Sequence, residues 1–101
     1  QAGDQYKIVL ELAEQTARFL GTPLDAARVI VDEGLVGPGY AQASPEGEAA
    51  TRLFLQLEGI FLDSVYTGKA AAAMLDYAQR GMLGEGPVLF LHTGGNGGLY
   101  Y

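Results

Sequence analysis

Apolar residues recur at helical spacing along the first fifth of the chain. From Ile8 to Leu20 they follow one another at intervals of three or four residues, and polar side chains occupy the opposite face. Asp4 is a candidate N-cap, and Gly21 stands where a helix commonly stops. The pattern predicts a helix over residues 5–20 that would cover one side of a sheet.

Two further helices are marked by their start and stop signals. Ser44-Pro45-Glu46 combines a capping hydroxyl, a proline at the first helical position and an acid in the first turn. The apolar stripe that follows ends before Gly59. The last helix opens at Thr67-Gly68, continues through an alanine-rich body and ends at Gly81.

Short apolar runs between these helices predict strands. Val29-Ile-Val31 is β-branched and too short for a buried helix, and Val88-Leu-Phe-Leu91 is the most strand-like run of the chain. The order helix, strand, helix, helix, strand is typical of an α/β domain with parallel pairing. Because two strands cannot protect both edges of a sheet, we expect the chain to be part of a larger domain.

Charge and composition exclude several classes of function. The net charge is −6, and the six lysines and arginines are scattered singly, whereas nucleic acids and anionic membranes bind clustered positive charge. The chain has no cysteine and one histidine, so thiolate zinc sites and histidine metal clusters are not expected. No apolar run approaches the ~18 residues of a membrane span. We therefore expect a cytoplasmic protein.

Candidate chemistry concentrates in two turns. Asp63-Ser-Val-Tyr-Thr-Gly-Lys69 precedes a helix, and His92-Thr-Gly-Gly95 follows the predicted strand 88–91. Each turn puts a hydroxylated residue beside glycine, which lets a backbone approach a ligand closely. A third loop, residues 34–40, is glycine-rich and ends at Tyr40. All three could equally be plain connectors in an α/β scaffold, and Asp32-Glu33 is best explained as a solvated strand end.

Four motifs together resemble one enzyme family. They are Val36-Gly-Pro-Gly-Tyr40, Leu57-Glu-Gly-Ile60, Leu62-Asp-Ser-Val-Tyr-Thr-Gly-Lys69 and Val88-Leu-Phe-Leu-His-Thr-Gly-Gly95. In order and spacing they resemble the C-terminal part of the D-cysteine desulfhydrase and 1-aminocyclopropane-1-carboxylate deaminase family. The resemblance implies the tryptophan synthase β-like fold (fold type II), a three-layer domain with a parallel sheet that binds pyridoxal 5'-phosphate (PLP). Residues 1–101 would form an incomplete, C-terminal part of that domain.

The same resemblance implies roles for individual residues. Two tyrosines would face the substrate side of the cofactor, and hydroxyl and glycine positions would lie beside its pyridine ring. The implied catalytic residues are Tyr40 and Tyr66, and the implied cofactor-binding residues are Thr67, Gly68, Thr93 and Gly94.

Thr67 is the most discriminating of these residues. The deaminases carry a glutamate there, which keeps the pyridine nitrogen protonated, and they tend to carry leucine at the position of Thr93. A threonine hydroxyl would be a neutral partner and would give a weaker electron sink, which suits β-elimination. The resemblance therefore favours a desulfhydrase that converts D-cysteine or a similar amino acid to pyruvate, ammonia and sulfide.

Alternatives stay open at this point. Within the family they are a 1-aminocyclopropane-1-carboxylate deaminase and an L-cysteate sulfo-lyase. In another class, the chain would be a stand-alone α/β module that binds a small ligand without catalysis.

Other parts of the family's site have no counterpart in this chain. The Schiff-base lysine, the nucleophilic serine and the phosphate-binding loop would lie upstream. Lys7 and Lys69 are expected to be surface and helix-start residues, and His92 a strand-end residue. The chain alone should be inactive, and its partners would be the remainder of the polypeptide, a small amino-acid substrate and, by resemblance, a second copy in a homodimer.

Overall fold

A computed structural model describes residues 4–32 and 42–95 of the chain. They form helix α1 at Asp4–Leu20, a short 3-10 helix at Ala26–Arg28, helix α2 at Pro45–Glu58 and helix α3 at Thr67–Gln79. The chain divides into two compact units, Gln1–Glu33 and Gly34–Tyr101. None of the helices in the described parts has the length and apolar character needed to cross a membrane.

The first unit contains α1, whose predicted span of 5–20 is confirmed to within one residue. The helix carries an acid in its first turn and Arg18 in its last, which complement the helix dipole. Gly21 adopts a φ of 68°, and its N–H donates to the Arg18 carbonyl at 3.2 Å, which ends the helix. Asp25 then caps the 3-10 helix by accepting from the Ala27 N–H at 3.1 Å.

The second unit is built on the pairing of α2 with α3. Ser44 caps α2 as predicted, since its Oγ accepts from the Gly47 N–H at 3.0 Å. Gly59 ends the helix with a φ of 65°. A small core of alanine and leucine lies between the two helices and the segment before α3, with aromatic and leucine side chains packed around it. Its members are Ala50, Leu62, Ala71 and Ala72, flanked by Phe54, Leu75 and Phe90.

Glycines set how closely α2 and α3 approach. A Cβ built on Gly68 would lie 2.5 Å from the Thr51 hydroxyl oxygen and 2.8 Å from the Gly47 carbonyl oxygen. Contacts that short do not occur for real side chains, so only glycine fits. The helix backbones therefore meet directly where α3 begins.

The two predicted strands are not formed in the described part of the chain. Residues 29–31 and 88–91 have no strand pairing. Pairing requires a neighbouring strand at about 4.8 Å, and neither segment has one here. Several of their side chains are correspondingly open to solvent, among them Leu89 at 90% and Leu91 at 74% exposed, while Phe90 packs against the core. The helical half of the α/β prediction is confirmed, and the parallel sheet remains a prediction.

Candidate functional site

The turn before α3 is organised by one carboxylate, that of Asp63. Its Oδ1 accepts from the N–H groups of Val65 at 2.9 Å and Tyr66 at 2.6 Å. Its Oδ2 accepts from the N–H of Thr67 at 3.1 Å. The Asp63 carbonyl accepts from the Gly68 N–H at 2.7 Å. One residue therefore satisfies the backbone donors that the start of a helix leaves unpaired.

The Thr67 hydroxyl is bound into the same turn. Its Oγ1 accepts from the Asp63 backbone N–H at 2.9 Å and donates to Asp63 Oδ2 at 2.7 Å. Both residues are buried, with Asp63 6% and Thr67 2% exposed. Water competes little for these bonds, so the turn has a single well-defined arrangement.

These contacts determine the charge state of Asp63. Burial raises its pKa, but the hydrogen bonds from the Thr67 side chain and from the N–H groups of Tyr66, Thr67 and Val65 lower it by more. The pKa of Asp63 therefore lies below its ordinary value, and the group is a carboxylate at neutral pH.

The second turn is held by His92. Its Nδ1 accepts from the Gly94 N–H at 3.1 Å, so its Nε2 carries the proton and donates to the Phe61 carbonyl at 2.7 Å. Gly94 and Gly95 have φ values of 105° and 88°, which other residues rarely adopt. The histidine thus closes the turn on itself and ties it to the chain just before Asp63.

The two predicted turns lie side by side. Besides the bond from His92 to Phe61, Gly95 packs against the Asp63 side chain. A Cβ built on Gly95 would overlap the carboxylate, with Asp63 Cγ only 2.8 Å from that position. The structure therefore brings residues 61–68 and 92–95 together, whereas their role as part of a cofactor site stays a prediction.

Similarity to known proteins covers almost the whole chain. It is 42% identical over 98 residues to a D-cysteine desulfhydrase of Klebsiella pneumoniae subsp. pneumoniae, a match that covers 96% of this chain. It is 39% identical over 100 residues to a D-cysteine desulfhydrase of Yersinia pestis. This chain is homologous to a segment of the D-cysteine desulfhydrases. It spans about 30% of the length of these relatives. No protein-family model matches the chain.

In the structure, the predicted site residues of this chain fall into an exposed group and a buried group. Tyr66 is 53% exposed at the surface of the first turn, and Thr93 is exposed on the second. Thr67 and Gly68 are buried. Tyr40 lies outside the described residues. The exposed groups are those that a ligand can reach without rearrangement of this chain.

Two of the cofactor-binding positions predicted from sequence are glycines, and the structure gives these two glycines different surroundings. At Gly68 the space for a Cβ is filled by α2, so packing alone explains the residue. At Gly94 a Cβ would meet no described atom within 4 Å, so the backbone there is open to close approach. The sequence could not distinguish these cases, because both glycines follow a threonine.

Asp63 is the residue that sequence reasoning missed. In the sequence, the hydroxyls and glycines of the turn stood out as candidate ligand contacts, and Asp63 was only the residue that begins the turn. A signal was present, because Asp63 stands just ahead of the first turn of a predicted helix, where a carboxylate can accept several backbone N–H groups.

The described residues fit one edge of PLP and not its phosphate. The backbone N–H groups at the start of α3 are taken by Asp63, so they do not form an anion site. The exposed hydroxyls of Tyr66 and Thr93 and the open Gly94 fit the polar edge of a heterocycle, whereas the buried Thr67 hydroxyl is already bonded to Asp63. Residues 4–32 and 42–95 contain no group of three or more His, Cys, Asp or Glu placed to hold a metal ion.

Proposed function

We propose that the intact protein carrying this chain is a PLP-dependent lyase that acts on D-cysteine. D-Cysteine and water would give pyruvate, ammonia and hydrogen sulfide, by loss of the α-proton and of the β-sulfur followed by hydrolysis. The observation that carries this proposal is the 42% identity, over 96% of the chain, to a protein named D-cysteine desulfhydrase. The chain would be inactive alone, because it spans about 30% of that relative.

The two turns would form the wall of the site beside the cofactor ring and the substrate. PLP, when bound, supplies the conjugated ring that accepts the electron pair left by the α-proton. Tyr66 would orient the substrate or hold a proton at its phenolic oxygen, with Tyr40 in a similar role. Thr93 would bind the polar edge of the ring, and Gly94 would let the backbone come close to it. Thr67, whose hydroxyl is buried against Asp63, would hold the turn that presents Tyr66.

The remaining parts of the site would come from elsewhere in the polypeptide. The support is that the described N–H groups at the start of α3 are already used by Asp63, so the phosphate needs another loop. Lys69 lies in the first turn of α3 with its aliphatic stem near Gly47, where a Cβ on the glycine would lie 3.2 Å from Lys69 Cγ. That position supports a structural role for this lysine and a Schiff-base lysine upstream.

A parallel sheet would complete the domain and account for the exposed apolar segments. The segments 29–31 and 88–91 are apolar and have no strand pairing in this structure. That is expected of strands whose neighbouring strands lie in the remainder of the polypeptide. We carry over a three-layer domain and a homodimer from the resemblance, and a cytoplasmic location from the sequence composition.

The test is substrate preference of the intact enzyme loaded with PLP. We expect sulfide and pyruvate to form in equal amounts from D-cysteine, and much more slowly from L-cysteine. 1-Aminocyclopropane-1-carboxylate and L-cysteate are the competing substrates. Faster ammonia release from the cyclopropane, or faster sulfite release from L-cysteate, would replace the proposal with that activity, and failure to take up PLP would refute it.

A further inference from the structure

His92 uses both of its ring nitrogens to hold the second turn. Its Nδ1 accepts from the Gly94 N–H at 3.1 Å, and its Nε2 donates to the Phe61 carbonyl at 2.7 Å. The first bond is local and shapes the turn, whereas the second joins residues that are 31 positions apart in sequence. Only a neutral imidazole with its proton on Nε2 can make both bonds. The contacts of His92 therefore require one protonation state of the ring.

We propose that His92 is a positioning residue, which fastens the exposed edge formed by Thr93 and Gly94 to the turn before α3. The inference rests on the proposed function, in which this edge faces the cofactor. Two successive glycines, Gly94 and Gly95, restrict the backbone little by themselves, so the bonds of the histidine side chain set the shape of the turn. His92 acts through its neighbours and need not touch the ligand.

Protonation of the ring would break one of the two bonds. A protonated imidazole donates from both nitrogens, so its Nδ1 would oppose the Gly94 N–H, while its Nε2 would keep the bond to Phe61. The His92 side chain is exposed, so a proton can reach it without unfolding. Histidine side chains commonly take up this proton between pH 8 and pH 5. We therefore expect the local bond, and not the bond to Phe61, to be lost in acid.

The other charged groups of the two turns keep their charge over that range of pH. Asp63 is a carboxylate throughout, because its pKa lies below 3.8. Phenolic and ammonium groups ordinarily titrate above pH 8. Besides His92, residues 61–69 and 92–95 contain three titratable side chains, those of Asp63, Tyr66 and Lys69. A change in the turn between pH 8 and pH 5 would therefore report on His92.

Asparagine and glutamine separate the two bonds of His92. In His92→Asn, the side-chain oxygen takes the place of Nδ1 and can accept from Gly94, but the side chain is too short to reach Phe61. In His92→Gln, the side-chain nitrogen takes the place of Nε2 and can donate to Phe61, but no atom replaces Nδ1. Neither amide titrates, so both variants should lose the pH dependence.

Hydrogen exchange of the Gly94 amide in the intact protein measures the local bond. Rates are read at single-residue resolution and divided by those of an unstructured peptide at each pH. At pH 8, wild type and His92→Asn should exchange about fivefold more slowly than His92→Gln, as expected for one hydrogen bond. At pH 5, wild type should approach His92→Gln, while His92→Asn keeps its protection. Equal exchange in all three proteins, or protection of wild type that does not change with pH, would overturn the inference.

The affinity of the apoprotein for PLP at pH 8 measures the positioning role. Each variant lacks one bond, so its dissociation constant should rise about 2- to 10-fold, the range for one net hydrogen bond. His92→Ala lacks both bonds and should raise it further. Unchanged affinity in all three variants would overturn the positioning role. A wild-type protein that takes up no PLP would instead refute the proposed function, while exchange measured without PLP would still show whether His92 holds the turn.

Discussion

Tyr66 has a backbone that is fixed within the turn before α3 and a side chain that is open to solvent. Its backbone N–H is held by Asp63 at 2.6 Å, while its side chain is 53% exposed. We expect Tyr66→Phe in the intact enzyme to lower kcat by about 100-fold, because a positioned acid or base typically contributes at least that factor. The bound cofactor should remain, as measured by absorbance and by mass after borohydride reduction.

Tyr77→Phe is the matched control for that prediction. It removes a phenolic hydroxyl from a tyrosine of α3 and keeps the ring, which lies 5.2 Å from the Arg80 guanidinium carbon. Its kcat should stay within about twofold of wild type, because Tyr77 is not among the predicted site residues and the change removes one oxygen atom. Full activity in Tyr66→Phe would show that Tyr66 only packs.

Asp63 makes stability depend on pH in a defined direction. Its pKa is lowered on folding from 3.8, so below about pH 4 the unfolded chain binds protons more readily than the folded one. The stabilisation is complete above that range and is lost as pH falls through the folded pKa. Asp63→Asn should therefore cost about 1–3 kcal/mol at pH 7, the range for buried hydrogen bonds to charge. The difference from wild type should shrink toward pH 2.

Urea denaturation of the intact enzyme at pH 7 and at acid pH, followed by circular dichroism, measures that difference. Asp76→Asn should show almost none at either pH, because its exposed ion pair with Arg80 is worth little. A pH-independent difference for Asp63→Asn would mean that shape, and not charge, is what the turn requires.

The caps and glycines that define single helices could be predicted residue by residue. Ser44, Gly21 and Gly59 act as their local sequence indicates, since caps depend on neighbours within four positions. The role of Asp63 spans a similar distance but joins two turns that are about thirty residues apart in sequence. That second contact depends on how the chain folds back, so the spacing of residues did not reveal it.

Close packing between α2 and α3 reverses the usual effect on stability of replacing a helical glycine by alanine. Replacing glycine by alanine inside a helix ordinarily stabilises it by up to about 1 kcal/mol. At Gly68 the new methyl would overlap the Thr51 hydroxyl and the Asp63 carbonyl, 2.5 and 2.6 Å away. We expect Gly68→Ala to lower the free energy of unfolding by about 1–3 kcal/mol, as overpacking does.

Gly47→Ala provides a graded comparison on the facing helix. Its added methyl would lie 3.0 Å from Ser44 Oγ and 3.2 Å from both Lys69 Cγ and the Ser64 carbonyl oxygen. These contacts are longer than those at Gly68, and the Lys69 side chain can move away, so part of the strain can relax. Its cost should be smaller than that of Gly68→Ala in the same denaturation experiment. Equal or reversed costs would mean that α2 and α3 do not pack as closely as described.

Helices were predictable and strands were not for one physical reason. The backbone hydrogen bonds of α1, α2 and α3 close within each helix, so their sequence contains what they need. A strand satisfies its backbone only through a neighbouring strand. The strands predicted over 29–31 and 88–91 would therefore need neighbouring strands from outside this chain, which is only about 30% as long as its relatives.

In the whole molecule, the protection of residues 88–91 from hydrogen exchange would show whether the remainder of the polypeptide supplies a sheet. Phe90 packs against Phe54 at a ring distance of 5.7 Å, while Leu89 and Leu91 point to solvent. Phe90 is the covered residue of this segment, and the exposed Val88, Leu89 and Leu91 would be buried by further elements in a complete sheet. In the intact enzyme we expect the amides of residues 88–91 to exchange with deuterium at least 100-fold more slowly than those of the turn at 83–86. Peptide-level hydrogen exchange measures both segments in one sample, which makes the turn an internal control. Equal exchange in the two segments would mean that 88–91 stays unpaired, and the proposed parallel sheet would then lack its last strand in this chain.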